Sequence, residues 1–225
     1  MIVMVNKKNP LKEHGDIYLQ LKQKIIDGKI KAGQPIRQDD IASQFGVSKI
    51  PVREALRRLE ANGLVEFIPR RGAFVVELTE DDILEMLEIR LALESRALEL
   101  AIPNMTGEDF LLAREILEEY ESTDDELRWS ELNRQFHLGL YAPCGLLKLI
   151  GLIHDLKDRS KLFMHLKITQ ASGFKRPHDE HIEILNACEN QDIQKAVGML
   201  RQHIETTKKE VAAYYRKMKI KERQS

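Results

Sequence analysis

The chain has 225 residues, 43% hydrophobic and 32% charged, which suits one or two globular domains of roughly 100–200 residues each and excludes a disordered chain. No apolar run approaches the ~20 residues needed to cross a bilayer, and the apolar stretch before Lys7 is too short, with its charges on the wrong side, for a signal peptide. Cys144 and Cys188 are the only cysteines, which excludes a disulfide framework or a Cys-based zinc site and places the chain in a reducing cytoplasm.

The net charge of −1 hides an asymmetry. Residues 1–78 carry 14 Lys+Arg against 9 Asp+Glu, whereas residues 79–225 carry 21 against 27. A basic segment followed by an acidic one predicts two domains with different partners, the first suited to a polyanion.

In the first segment Asp16 is placed to cap a helix over 17–27, with Ile17, Leu21, Ile25 and Ile26 as its apolar stripe. Gly28 and Gly33-Gln-Pro35 break the chain. A short helix follows over about 38–45, closed by Gly46, where a left-handed residue is expected. Ser48 is a good N-cap for a third helix running to about Asn62, with Pro51 in its first turn. Two β-type runs, 64–68 and 73–77, are joined by Pro69-Arg-Arg-Gly72. From Thr79, which opens a capping box with Asp82, the pattern is helical alone. Six helices are expected, ending near Pro103, Tyr120, Pro143, Thr169, Glu189 and Lys219, the third capped by Thr123 or Asp124 and the fourth broken by residues 172–177. The fold class is therefore mainly α, a winged helix-turn-helix over 11–78 followed by an antiparallel six-helix bundle over 79–220.

Two constellations carry chemistry. Helix, glycine turn, helix is the arrangement that presents a second helix to the DNA major groove. On that helix Lys49, Arg53 and Arg57 recur every fourth residue in one row, able to meet phosphates and guanine edges. The basic tip at Arg70-Arg71-Gly72 completes a wing.

The second constellation lies in the bundle. Asn133 and His137 stand four apart on one helix, while His181 and His203 lie eleven residues either side of Asp192. In an antiparallel pair turning at Asp192 both histidines reach the same height, about 16 Å from the turn at ~1.5 Å per residue. Convergent imidazoles are how a bundle holds zinc, nickel, copper or iron; separate, individually satisfied histidines are the plain alternative. Arg90 lies on the apolar stripe of the first bundle helix with Glu94 four residues on. It is read either as an internal ion pair or as a fork for a ligand carboxylate. Arg159, between Leu156 and Phe163, is a second effector candidate.

Gly46-Val-Ser-Lys-Ile-Pro-Val-Arg-Glu-Ala-Leu-Arg-Arg-Leu-Glu60, Gly63-Leu-Val and Arg71-Gly-Ala-Phe-Val75 closely resemble the GntR family of bacterial transcription regulators. The resemblance implies DNA contacts by Ser48, Lys49 and Arg53, with Arg71 and Gly72 at the wing. The chain departs from the family where Asp39 replaces a frequent Arg, a role for which Arg37 is the substitute. Residues 80–215 resemble the FCD effector domain, and six helices suggest its vanillate-regulator-like branch. That resemblance implies a metal set of Asn133, His137, His181 and His203, with an amide where the family usually has a carboxylate.

The sequence thus reads as a cytoplasmic one-component regulator, a repressor in the first instance. It would be a homodimer on an inverted-repeat operator, with a divalent metal, zinc or nickel, and a small organic acid in its bundle. No catalytic residue is assigned and no membrane partner is expected. The runner-up is a metal-dependent hydrolase carrying a DNA-binding fold, with Glu180 as its general base. A third reading is an architectural DNA protein without ligand.

Overall fold

Apolar residues at helical spacing, ended by glycine, set the first three helices: α1 (Ile17–Ile26), α2 (Gln38–Phe45) and α3 (Lys49–Ala61). The computed structural model describes residues 17–164 and 175–222. The expected cap at Asp16, the fourth bundle helix beyond 164 and the end of the tail lie outside the described residues. Two compact units divide at Glu77 and Leu78.

In the first unit Leu21 and Ile25 of α1 are buried with Val52, Leu56 and Leu59 of α3. Gly46 follows α2 at φ 61 and returns its amide to the helix carbonyls, a left-handed conformation that glycine adopts without the Cβ penalty. Strands β2 (Val65–Ile68) and β3 (Gly72–Val75) pair antiparallel, as the hairpin reading requires. A further strand, β1 (Pro35–Ile36), pairs with the other edge of β3, so the Gly33-Gln-Pro35 stretch does more than break the chain.

The hairpin turn holds Arg70 at φ 63 and Gly72 at φ 99, with Arg71 N–H donating to Ile68 O. The φ pattern matches a type II turn, with Pro69 presetting its first central position. Arg at the second central position is strained. A Cβ on Gly72 would meet nothing within 4 Å, so the backbone conformation, not space, requires glycine there.

The second unit contains six α-helices among the described residues: α4 (Glu80–Ala101), α5 (Gly107–Ser122), α6 (Glu126–Tyr141), α7 (Leu147–Met164), α8 (Lys175–Glu189) and α9 (Ile193–Glu222). Thr79 and Thr106 form complete capping boxes with Asp82 and Asp109. At α6, Asp125 Oδ1 accepts from Arg128 N, so Asp125 is the cap, not Thr123 or Asp124. Pro177 sits in the first turn of α8, where its missing N–H costs nothing.

Helix α4 packs on α9, α7 and α6, while α5 packs on α6 and α8. Their shared core includes Ile83, Leu87, Leu98, Phe136, Ile184 and Leu200. None of the described helices is long and apolar enough to cross a membrane.

Candidate metal centre and nucleic-acid interface

Helices α6, α8 and α9 each bring one histidine to a common point. Ligand-capable atoms of His137, His181 and His203 all lie within 4.8 Å of one another, and all three residues are buried. The equal-height geometry read from the Asp192 turn is thus realised for His181 and His203. Asn133 is half-buried one turn before His137 on α6.

The hydrogen bonds fix which nitrogens face inward. The Tyr141 hydroxyl donates to Glu94 Oε2 at 2.7 Å and so spends its only proton. His137 Nδ1, at 3.2 Å from that hydroxyl, must therefore be the donor, which leaves its Nε2 with a lone pair. His203 Nδ1 lies 2.6 Å from Glu180 Oε2; a carboxylate only accepts, so Nδ1 is the donor there and Nε2 carries the lone pair of the neutral ring. An outer carboxylate orienting the imidazole, directly at His203 and through Tyr141 at His137, is the usual support of a metal ligand.

His181 completes the set by what it lacks. Both its ring nitrogens are buried without a hydrogen-bond partner, an arrangement that costs about 1–3 kcal/mol per orphaned group. Burial first, then the neighbouring cations, pushes His137 and His181 well below their usual range. Both are neutral at pH 7, the form that binds metal. The donor set and the orphaned nitrogens therefore fit a divalent cation.

Beyond Tyr141 lies a cluster that sequence reasoning saw only in part. Arg90 Nε donates to Glu94 Oε1 at 2.6 Å, so the ion-pair reading of Arg90 is realised. Lys157 Nζ lies 3.3 Å from the other Glu94 oxygen, and all three side chains are at most 10% exposed. Desolvation opposes the Glu94 charge, but Arg90, Lys157 and the Tyr141 hydrogen bond outweigh it and hold the carboxyl well below the ordinary range. Two cations thus share one carboxylate. Desolvation, reinforced by Arg90, lowers Lys157 from 10.5 to about 7.

Lys157→Met should accordingly stabilise the protein, because it removes the surplus buried cation and leaves the Arg90–Glu94 pair intact. The folded state sheds the Lys157 proton at about pH 7, while the unfolded chain holds it to its ordinary value. Wild-type stability therefore rises with pH across that window. The advantage of Lys157→Met, about 1 kcal/mol or more, should be largest near pH 6 and fade toward pH 10 in denaturant titrations.

Glu180 is committed to His203 and accepts both contacts of Arg176 Nη1 at 2.7 Å. It is thus a positioning group, not a free general base. Arg159 is half-buried, its Nε without a hydrogen-bond partner.

In the first unit the structure sorts the cation row of α3. Lys49 Nζ pairs with Asp39 at 2.6 Å. Arg57 pairs with Glu60 at 2.7 Å and stacks over Phe67 of β2. Arg53 is exposed and has no ion pair among the described residues. Ser48 occupies the N-cap position, but its side chain makes no capping bond, which leaves the hydroxyl free. Arg37 is exposed at the start of α2, and Arg71 lies over Phe74 at the wing.

Comparison with known proteins agrees with this division. The family model described as bacterial regulatory proteins, gntR family, matches residues 14–75, and that of the FCD domain matches residues 85–206. The HTH-type transcriptional regulator YdhC of Bacillus subtilis is 37% identical over 53% of this chain and 55% of its own length. The HTH-type transcriptional repressor GlaR of Escherichia coli is 27% identical over 85% of this chain and 92% of its own. A crystal structure of a GntR-family transcriptional regulator from Pseudomonas syringae is 32% identical, covers 92% of this chain and 87% of its own, and superimposes with a TM-score of 0.60.

Proposed function

Because the chain belongs to the GntR family of bacterial regulatory proteins and carries an FCD domain, we propose that it represses transcription by binding an operator and that a small organic acid in the helical unit alters that binding. Among the described residues no catalytic constellation competes with this reading, and with Glu180 engaged by Arg176 and His203 the hydrolase alternative loses its base.

Arg53 is the principal reader, with Ser48, Lys49 and Arg37 flanking it and Arg71 and Gly72 at the wing. The observation that carries this is the sorting of α3. Of its cation row, Arg53 is left exposed and unpaired among the described residues, poised to take guanine edges or phosphate. One winged helix spans too few base pairs for operator-level specificity. The working form is accordingly a homodimer on an inverted repeat, in which half-site symmetry mirrors protein symmetry.

In the helical unit His137, His181 and His203 hold a divalent ion, zinc or nickel, with the Asn133 carbonyl as a fourth ligand. When bound, the ion supplies a Lewis-acidic anchor for a carboxylate. Tyr141 and Glu180 orient the imidazoles. Arg90 and Lys157, two basic groups around the single Glu94 carboxylate, offer the opposite end of an acid a place, and Arg159 is a further contact. An acid that favours one arrangement of the helices shifts operator affinity by its differential binding, typically about 1–3 kcal/mol.

The test starts with Arg53→Ala on a duplex that the wild-type protein selects from a random pool. A base contact is worth about 1–3 kcal/mol, so affinity should fall about 5–150-fold on the selected duplex and much less on random DNA. Equal affinity of the folded variant for the selected duplex would remove Arg53 from the interface.

A further inference from the structure

Asp39 is an acidic residue beside the cation row of α3. It stands in the first turn of α2 and meets the first residue of α3, with Asp39 Oδ1 2.6 Å from Lys49 Nζ. Both side chains are open to solvent, 73% and 63% exposed, and exposed pairs contribute little to folding. Stability therefore does not account for placing a carboxylate beside a cation that faces DNA.

The pair has a different capacity. An ammonium at that distance from a carboxylate is neutralised as seen from a phosphate, so Lys49 adds little sequence-independent attraction. It spends one of its three N–H donors on Asp39, and the carboxylate keeps free lone pairs. What remains is a neutral unit that presents donors and acceptors side by side.

We propose that Asp39 and Lys49 together read a single G·C base pair from the major groove, Lys49 donating to guanine O6 or N7 and Asp39 accepting from the cytosine N4 amino group. In the major groove a G·C pair sets two guanine acceptors beside one cytosine donor. An A·T pair instead interleaves acceptor, donor and acceptor and ends in a methyl group. Lysine to guanine and aspartate to cytosine are each the established pairing for those edges, and the 2.6 Å ion pair holds the two readers together. This inference rests on the reading that α3 enters the major groove.

The experiment compares duplexes selected from a random pool by the wild-type chain, Asp39→Ala and Asp39→Asn, followed by affinity titrations at several salt concentrations. Wild type should require G·C at one position of each half-site. Asp39→Ala should lose that preference about 5–20-fold while the other positions stand, and Asp39→Asn should shift it toward A·T, because an amide reads adenine N6 and N7. Release of Lys49 to a phosphate should steepen the salt dependence by about 0.9 in both variants. If both variants select the wild-type motif and simply bind every duplex more tightly, Asp39 only mutes Lys49 and the proposal is overturned. Should Arg53→Ala also bind as wild type does, the placement of α3 in the groove has failed instead, and the two failures are separable.

Discussion

Glu94→Gln is expected to destabilise the helical unit by about 3–5 kcal/mol, a drop of roughly 10 °C in its unfolding temperature. Glu94 is fully buried and is the shared acceptor of Arg90, Lys157 and the Tyr141 hydroxyl. The amide keeps the shape and removes the charge, so Arg90 is left as a buried cation without its counter-ion, and Lys157, already lowered to about 7, loses the carboxylate that helps hold its proton. The effect reaches His137 as well. With the carboxylate gone, the Tyr141 hydroxyl is free to turn, and the bond that fixes the His137 tautomer weakens. Differential scanning calorimetry of the folded variant checks the first consequence, and metal uptake checks the second. The contrast with Lys157→Met is the sharp part, because neighbouring substitutions in one cluster should move stability in opposite directions. Equal destabilisation by both would show that the excess of cations is not the governing feature.

His181→Phe should separate the ligand role of that residue from its packing. Without metal the wild-type chain carries two buried, unpartnered nitrogens at His181. Phenylalanine removes both and keeps an aromatic ring among Phe136, Tyr120 and the other two histidines. The metal-free variant should equal or exceed the metal-free wild type by about 1 kcal/mol. In the presence of ion at about a thousand times its dissociation constant, wild type should gain about 4 kcal/mol, roughly 10 °C for a unit of this size, and the variant should gain almost nothing.

Acid should act on the same site. His137 and His181 are depressed below 6.5 in the folded chain, so the unfolded chain binds protons first as pH falls. The metal-free protein should then lose stability below about pH 6.5. Thermal melts with and without chelator, from pH 5 to 8, carry these comparisons.

The helix-turn-helix was legible because its signals are local: glycine at a left-handed turn, proline in a first turn, apolar residues at three- and four-residue spacing. The short strand β1 left no such trace. Its two residues, Pro35 and Ile36, are defined only by their pairing with Phe74 and Ala73. The histidine convergence was legible because a turn at Asp192 fixes register along two antiparallel helices. Their supporting residues were not, since Glu180 orients His203 across helices and Tyr141, one turn from His137 on α6, gains its role only through Glu94 on α4.

Helix α7 shows the cost of reading burial from hydrophobicity. Leu156 and Phe163 pointed to a face carrying Arg159. The structure packs Leu156 against the core as expected, but it also buries Ile153, Lys157 and Ser160 and leaves Leu152 56% exposed. A helix that buries charge breaks the apolar stripe that would reveal its inner face. Lys157 was therefore invisible until Glu94 was seen beside it.

The central claim is that three histidines in the bundle hold a divalent ion. It is tested most directly by calorimetric titration of zinc and of nickel into chelator-stripped protein, with His181→Ala in parallel. One ion per chain should bind to wild type and none to the variant, and few protons should be released at pH 7 because His137 and His181 are already neutral. A wild-type chain that is purified without metal and takes up neither ion would contradict the account.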